Sequence, residues 1–183
     1  MKKLLLGVFL SAFLFACNDD KAESTGTTDA ATVTETKTGD ELLAITDGDG
    51  VKSAMAAFSG GDVDGMTSNY DDNVRYLWSG GDSLIGKKAV HDYYTGRWKL
   101  IDSLDISNNI VIPIKVNVQQ SPYQALGKWV LHWGFVNVKY KNGKKLNFWI
   151  HNDYHYNDAG KVDLVIQYID RHPLMEATKD LIK

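Results

Sequence analysis

Residues Leu126 to Tyr156, LGKWVLHWGFVNVKYKNGKKLNFWIHNDYHY, form two long strand-like runs joined by Asn142-Gly143, and they constrain the chain more than any other stretch. Asn-Gly favours a type I′ hairpin turn, because both of its central residues take positive φ. A two-residue loop puts Lys141 opposite Lys144, and further along His132 opposite Asp153, Trp133 opposite Asn152 and Leu131 opposite Tyr154. Side chains alternate between faces, so the register sorts them into two sets. One face is expected to carry Trp129, Leu131, Trp133 and Phe135 against Tyr156, Tyr154, Asn152 and Ile150: an aromatic wall. The other is expected to carry Val130, His132, Gly134 and Val136 against His155, Asp153, His151 and Trp149. The aromatic wall is the expected interior.

The chain start carries a different message. Met1-Lys2-Lys3 is followed by an apolar run from Leu4 to Phe15, too short to span a bilayer as a mature helix. Leu14-Phe15-Ala16-Cys17 resembles the lipobox of bacterial lipoproteins. That resemblance implies cleavage before Cys17, acylation of Cys17 with palmitate-type chains, and a membrane lipid as partner. Residues 1–16 are thus expected to be a lipoprotein signal peptide. Its loss would take the net charge from −3 to −5. Residues 17–40 hold one large apolar residue, Val33, and cannot offset chain entropy by burial, which predicts a disordered tether. The expected site is the bacterial cell envelope, anchored to a membrane, with the outer membrane favoured. No basic patch suggests nucleic acid.

Residues 41–183 are expected to form one domain. At 44% hydrophobic and 11% aromatic, the chain can build a substantial core. Val51, Ala54, Met55 and Phe58 recur at helical spacing, and Gly60-Gly61 ends that helix. Asp62 is placed to cap a short second helix carrying Val63, Met66 and Tyr70. Val74 to Trp78 alternates as a short strand. A third helix is predicted over 87–101, with Val90, Tyr94, Trp98 and Ile101 buried. Strands follow at about 104–118, 125–140, 145–156 and 161–170, and Pro173 opens a terminal helix. An Asp158-Ala159-Gly160 loop with Gly160 left-handed would set Tyr154 opposite Leu164 and extend the aromatic wall through Leu164, Ile166 and Tyr168. Asp47-Gly48-Asp49-Gly50 is no calcium loop, since Val51 and Phe58 stand where ligands are required. The fold class is α+β: a curved antiparallel sheet wrapped against three helices.

GDVDGMTSNYDDNVRYLW (61–78), SLIGKKAVHDYY (83–94) and DAGKVDLVIQYID (158–170) resemble, in that order, the helix-to-strand opening, third-helix start and closing strand of the nuclear transport factor 2 superfamily. The resemblance is nearest to its SnoaL-like branch, covers about residues 45 to 172, and implies a cone-shaped fold with an internal cavity. Members include isomerases, cyclases, dehydratases and binding domains, so the fold implies a pocket without implying a reaction. SnoaL-like cyclases carry an acidic residue three positions before the closing aspartate. Here that position is Gln167, and an amide is no comparable proton acceptor.

The expected interior face holds no carboxylate at its centre, only Asn152 among aromatics, with Asp170 at the strand end. The leading expectation is therefore a small apolar or aromatic ligand bound by Tyr76, Trp78, Tyr94, Trp98, Trp133, Asn152 and Tyr154, or an interaction role, with no catalytic residue assigned and no cofactor. A SnoaL-like isomerase, cyclase or dehydratase moving a proton is the alternative. A second alternative is a zinc or iron site, because His151, Asp153 and His155 alternate on one strand with His132 across from Asp153. Trp149, Val130, Val136 and Val138 leave the second face half apolar, which suits a sheet-to-sheet homodimer.

Overall fold

The structure, a computed structural model, describes residues 39–122 and 124–182. The expected signal peptide, Cys17 and nearly all of the tether lie outside the described residues. Among the described residues, seven strands form one curved, unclosed sheet: β1 (Glu41–Leu42), β2 (Tyr70–Trp78), β3 (Ser83–Ile85), β4 (Ile101–Val116), β5 (Gly127–Tyr140), β6 (Lys145–Tyr156) and β7 (Val162–Tyr168). Their spatial order is β1-β4-β5-β6-β7-β2-β3. All pairings are antiparallel except that of β2 with β7, where the last strand returns beside the first long one.

Among the described residues, four α-helices accompany the sheet: α1 (Asp49–Ser59), α2 (Val63–Thr67), α3 (Lys87–Trp98) and α4 (His172–Thr178). The Asp62 side chain accepts the Gly65 amide at 2.7 Å, as its capping role requires. Helix α3 ends at Trp98, and Ile101 already opens β4. Val51 and Met55 of α1, Val63 and Met66 of α2, and Val90 and Tyr94 of α3 bury against one face of the sheet. There they meet Val74, Tyr76, Val130, Val136, Ile150, Tyr154 and Val165. That face is the interior. Among the described residues, no helix is long and apolar enough to cross a membrane.

The β5–β6 register is one residue away from the expected one. Lys139 pairs Lys145, His132 pairs Asn152, Trp133 pairs His151 and Leu131 pairs Asp153. The loop has three residues, Lys141, Asn142 and Gly143, closed by Tyr140 N–H donating to Lys144 O at 2.9 Å. Gly143 has φ +85°, whereas Asn142 is not among the positive-φ residues, so no type I′ turn forms. The Asn142 amide is used elsewhere, donating to Ala177 O at 2.8 Å and to Asp180 Oδ1 at 2.9 Å. A one-residue slip moves every side chain of one strand to the other face. Trp129, Leu131, Trp133 and Phe135 therefore stand on the outer face, and Val130, His132, Gly134 and Val136 stand inside.

The second hairpin closes as expected, with Asn157 N–H donating to Lys161 O at 2.9 Å and Gly160 at φ +72°. A bulge between His155 and Tyr156 and the facing β7 residues then shifts the register. Beyond it Tyr154 pairs Val165 and Asn152 pairs Gln167. Leu164, Ile166 and Tyr168 accordingly lie outside as well, across from His155, Asp153 and His151.

Candidate ligand-binding chamber

Strand parity brings Tyr76 and Trp78 of β2, His132 of β5, Asn152 and Tyr154 of β6, and Gln167 of β7 to the interior, all of them buried. Their polar atoms form one directed chain. The Trp78 indole N–H donates to Gln167 Oε1 at 2.8 Å, and the Tyr94 hydroxyl reaches the same oxygen at 3.4 Å. Gln167 Nε2 donates to Asn152 Oδ1 at 2.9 Å. Asn152 Nδ2 lies 3.2 Å from His132 Nδ1, and His132 Nε2 lies 2.7 Å from Asn109 Oδ1. Asn109 Nδ2 closes the run on Ile106 O at 3.0 Å. Buried polar groups need such partners, because an unmade bond there costs about 1–3 kcal/mol.

Two local irregularities make the chain possible. Asn108, at φ +50°, opens a bulge in β4 between Ser107 and Ile110, which carries Asn109 to the His132 ring. Gly134 supplies the space: a Cβ there would sit 2.8 Å from Ile106 Cγ2 and 3.1 Å from His132 Cε1. Burial, reinforced by the nearby His151, lowers the His132 pKa to about 4. Burial pushes the Tyr76 and Tyr154 phenols well above their ordinary range. Tyr76 and Tyr94 share a 2.6 Å hydroxyl contact.

Next to Gln167 and Tyr94 is a chamber of about 90 Å³, lined by Phe58, Trp78, Tyr93, Val136, Val138, Tyr140, Phe148, Ile150 and Leu174. A smaller chamber of about 30 Å³ lies deeper, against Met55, Tyr76, Asn152 and Tyr154. The two share Phe58, Tyr94, Ile150 and Gln167. Among the described residues, no Asp or Glu lines either one.

Of the expected pocket residues, Tyr76, Trp78, Tyr94, Asn152 and Tyr154 line these chambers. Trp98 stacks edge-on with Phe58 at 6.0 Å and supports the wall from behind. Trp133 is on the outer face, stacked on His151 at 4.3 Å. His132 was expected only as a ligand of the metal alternative, and Asn109 was not expected at all, although the Asn108-Asn109 pair is the residue type that tolerates a left-handed bulge.

The His/Asp cluster is divided by the sheet, which leaves the metal alternative without its ligand set. His132 is inside, while His151, Asp153 and His155 face outward. His155 is engaged by Asp163 and by Leu126 O. His151 Nε2 and Asp153 Oδ1 are 2.8 Å apart but lack hydrogen-bond alignment. Among the described residues, no group of three or more His, Cys, Asp or Glu could hold a metal ion.

No family model matches the sequence, and no curated protein is similar to it. Solved structures are similar in fold. A protein assigned as a polyketide cyclase from Xanthomonas campestris pv. campestris superposes with a TM-score of 0.57 at 17% identity, covering 73% of this chain and 97% of its own. A nuclear transport factor 2-like protein of unknown function from Burkholderia pseudomallei gives 0.54 at 14%, covering 72% and 95%. An epoxide hydrolase of Mycobacterium tuberculosis gives 0.51 at 15%, covering 74% and 92%. A cyclase and an epoxide hydrolase thus share one architecture. The chain has the nuclear transport factor 2-like fold of the SnoaL-like cyclases and ketosteroid isomerase-like proteins.

Proposed function

We propose that this chain is a lipid-anchored envelope protein whose interior chamber binds a small apolar or aromatic ligand without reacting with it. The observation that carries the reading is the state of Gln167. It occupies the position where the resemblance implies a carboxylate, and both ends of its amide are already committed to Trp78 and Asn152. The neighbouring His132 does not supply a base either, since its Nδ1 faces the Asn152 amide and its Nε2 the Asn109 side chain, which leaves neither ring nitrogen free. What remains is aromatic surface with a few fixed polar atoms, the usual make-up of a small-molecule site.

The chamber also bounds the ligand. A dry cavity of about 150 Å³ accepts benzene, and the outer chamber offers about 90 Å³. A short alkyl chain is the size that matches, and a single ring already requires half-buried Phe58, Phe148 or Leu174 to swing aside. Anchoring through Cys17 rests on the lipobox-like sequence.

Native mass spectrometry of the protein isolated from its own host is the direct test. A retained small organic molecule is the expected result. A chain that arrives empty and also fails to take up single-ring compounds at millimolar concentration would sink the reading. Incorporation of a labelled fatty acid, abolished by Cys17→Ser, tests the anchor separately.

A further inference from the structure

The chain contains three arginines, Arg75, Arg97 and Arg171, and two of them line the aromatic chamber. This concentration is notable because the chain as a whole is acidic, with net charge −3. The other lining groups are apolar or aromatic apart from Gln167, so both charges in the chamber wall are positive.

The Arg171 guanidinium is held in place. Arg171 lies over the Trp78 ring, 4.4 Å from its centroid, and its Nη1 contacts Asp82 Oδ2 at 2.6 Å. Asp82 is itself exposed. One carboxylate oxygen uses one of five guanidinium N–H groups, so Arg171 keeps donors for a second acceptor. Arg97 acts on the Tyr140 phenol, opposing the rise that burial imposes on it. Both arginines are half-buried, at the solvent side of a chamber whose deep end is the Gln167 amide. A guanidinium stacked on an aromatic ring and screened from bulk water suits planar, two-point recognition of a carboxylate better than an ammonium would.

We propose that the chamber's ligand is a small monocarboxylate, its apolar or single-ring body seated among Phe58, Tyr93, Val136 and Ile150 and its carboxylate held at the rim by Arg171 and Arg97. This rests on the binding reading above and assigns the chemical class of the ligand. The Arg171 fork makes the primary contact, because Trp78 fixes its plane. Arg97 adds charge from the α3 side.

Benzoate is the probe, with benzyl alcohol and benzamide as neutral counterparts of the same ring. Each is titrated into the full chain and followed by calorimetry and indole fluorescence. Benzoate is expected to bind roughly ten-fold more tightly than either neutral compound, with an affinity that falls as salt is added. Arg171→Gln and Arg97→Gln should each remove most of that preference, read as the ratio of benzoate to benzyl alcohol affinity within the same variant. Arg171→Lys should retain the salt dependence but lose part of the affinity, because the fork is gone. If Arg171→Gln fails to fold, Arg97→Gln and the salt series still decide. Equal binding of benzoate and benzyl alcohol, unaffected by either arginine change, would overturn the carboxylate assignment and leave the binding reading standing. No binding by any of the three would overturn both.

Discussion

His132 Nδ1 lies 3.2 Å from the Asn152 amide nitrogen, across the interior face from strand β5 to strand β6. An amide nitrogen can only donate, so Nδ1 must be the acceptor, and the ring carries its proton on Nε2, facing Asn109. The network thus sets the tautomer and requires a neutral ring. A second proton on Nδ1 would point at the Asn152 NH₂ group, inside a site that already disfavours charge.

This predicts a pH-dependent contribution to stability. The folded pKa is about 4 against an ordinary 6.5, so the unfolded chain binds the extra proton first as pH falls. The contribution is complete above pH 6.5, declines as pH drops toward 4, and amounts to about 3 kcal/mol when fully lost. Urea unfolding of wild type and His132→Gln between pH 4 and 7 checks it. The difference between the two should narrow steadily below pH 6.5. A difference that stays constant across the range would refute the assignment.

Gln167→Glu should move a proton rather than create a base. A carboxylate there can still accept from Trp78 and Tyr94, but it cannot donate to Asn152 Oδ1. Turning the Asn152 amide over restores that bond and presents Oδ1 to His132 Nδ1, which must then carry a proton. The expected outcome is a His132 pKa well above 4 by imidazole NMR titration, with a stability loss on the order of 2 kcal/mol. An unchanged His132 titration would rule this coupling out.

Gly134→Ala tests the space beside the bulge. The new methyl would crowd Ile106 Cγ2 at 2.8 Å and the His132 ring at 3.1 and 3.2 Å. A loss of about 1–3 kcal/mol is expected, with disturbed His132 resonances. Gly96→Ala, in α3 with nothing within 4 Å of the added carbon, serves as control and should be neutral or slightly stabilising. Similar melting changes in both variants would deny Gly134 its role.

The outer face invites self-association. Trp149 is 52% exposed and Tyr168 46%, with Ile110 exposed on neighbouring β4. A second copy laid on this face would cover them. Light scattering at micromolar concentration should report a dimer, and Trp149→Glu combined with Tyr168→Glu should yield a monomer. A monomeric wild type would refute the homodimer.

Much of the fold was legible in hydrophobic spacing: three helices, the long strands, the Asp62 cap, and the inward faces of β2 and β6 with Tyr76, Trp78, Asn152 and Tyr154. The faces of β5 and β7 were inverted for physical reasons. Both sides of β5 are largely apolar, so alternation does not say which is buried, and the register hangs on loop geometry alone. Asn142-Gly143 carries the signal of a two-residue turn, yet Asn142 is drawn into contacts with Ala177 and Asp180 that lie 35 and 38 residues away. The β7 bulge beside His155 leaves no trace in residue type. Gln167, already notable by its place before Asp170, therefore turned inward where Ile166 was expected.

The three-residue loop at Lys141, Asn142 and Gly143 also decides how full the interior is. With one residue fewer, β5 would turn Leu131, Trp133 and Phe135 toward the helices in place of His132, Gly134 and Val136. That set of side chains is far bulkier than chambers of about 90 and 30 Å³ could absorb. The free volume of the interior is thus set at a hairpin tip that begins beside Tyr140, itself part of the larger chamber's wall. Lengthening or shortening that tip by a single residue would choose between a hollow domain and a solid one.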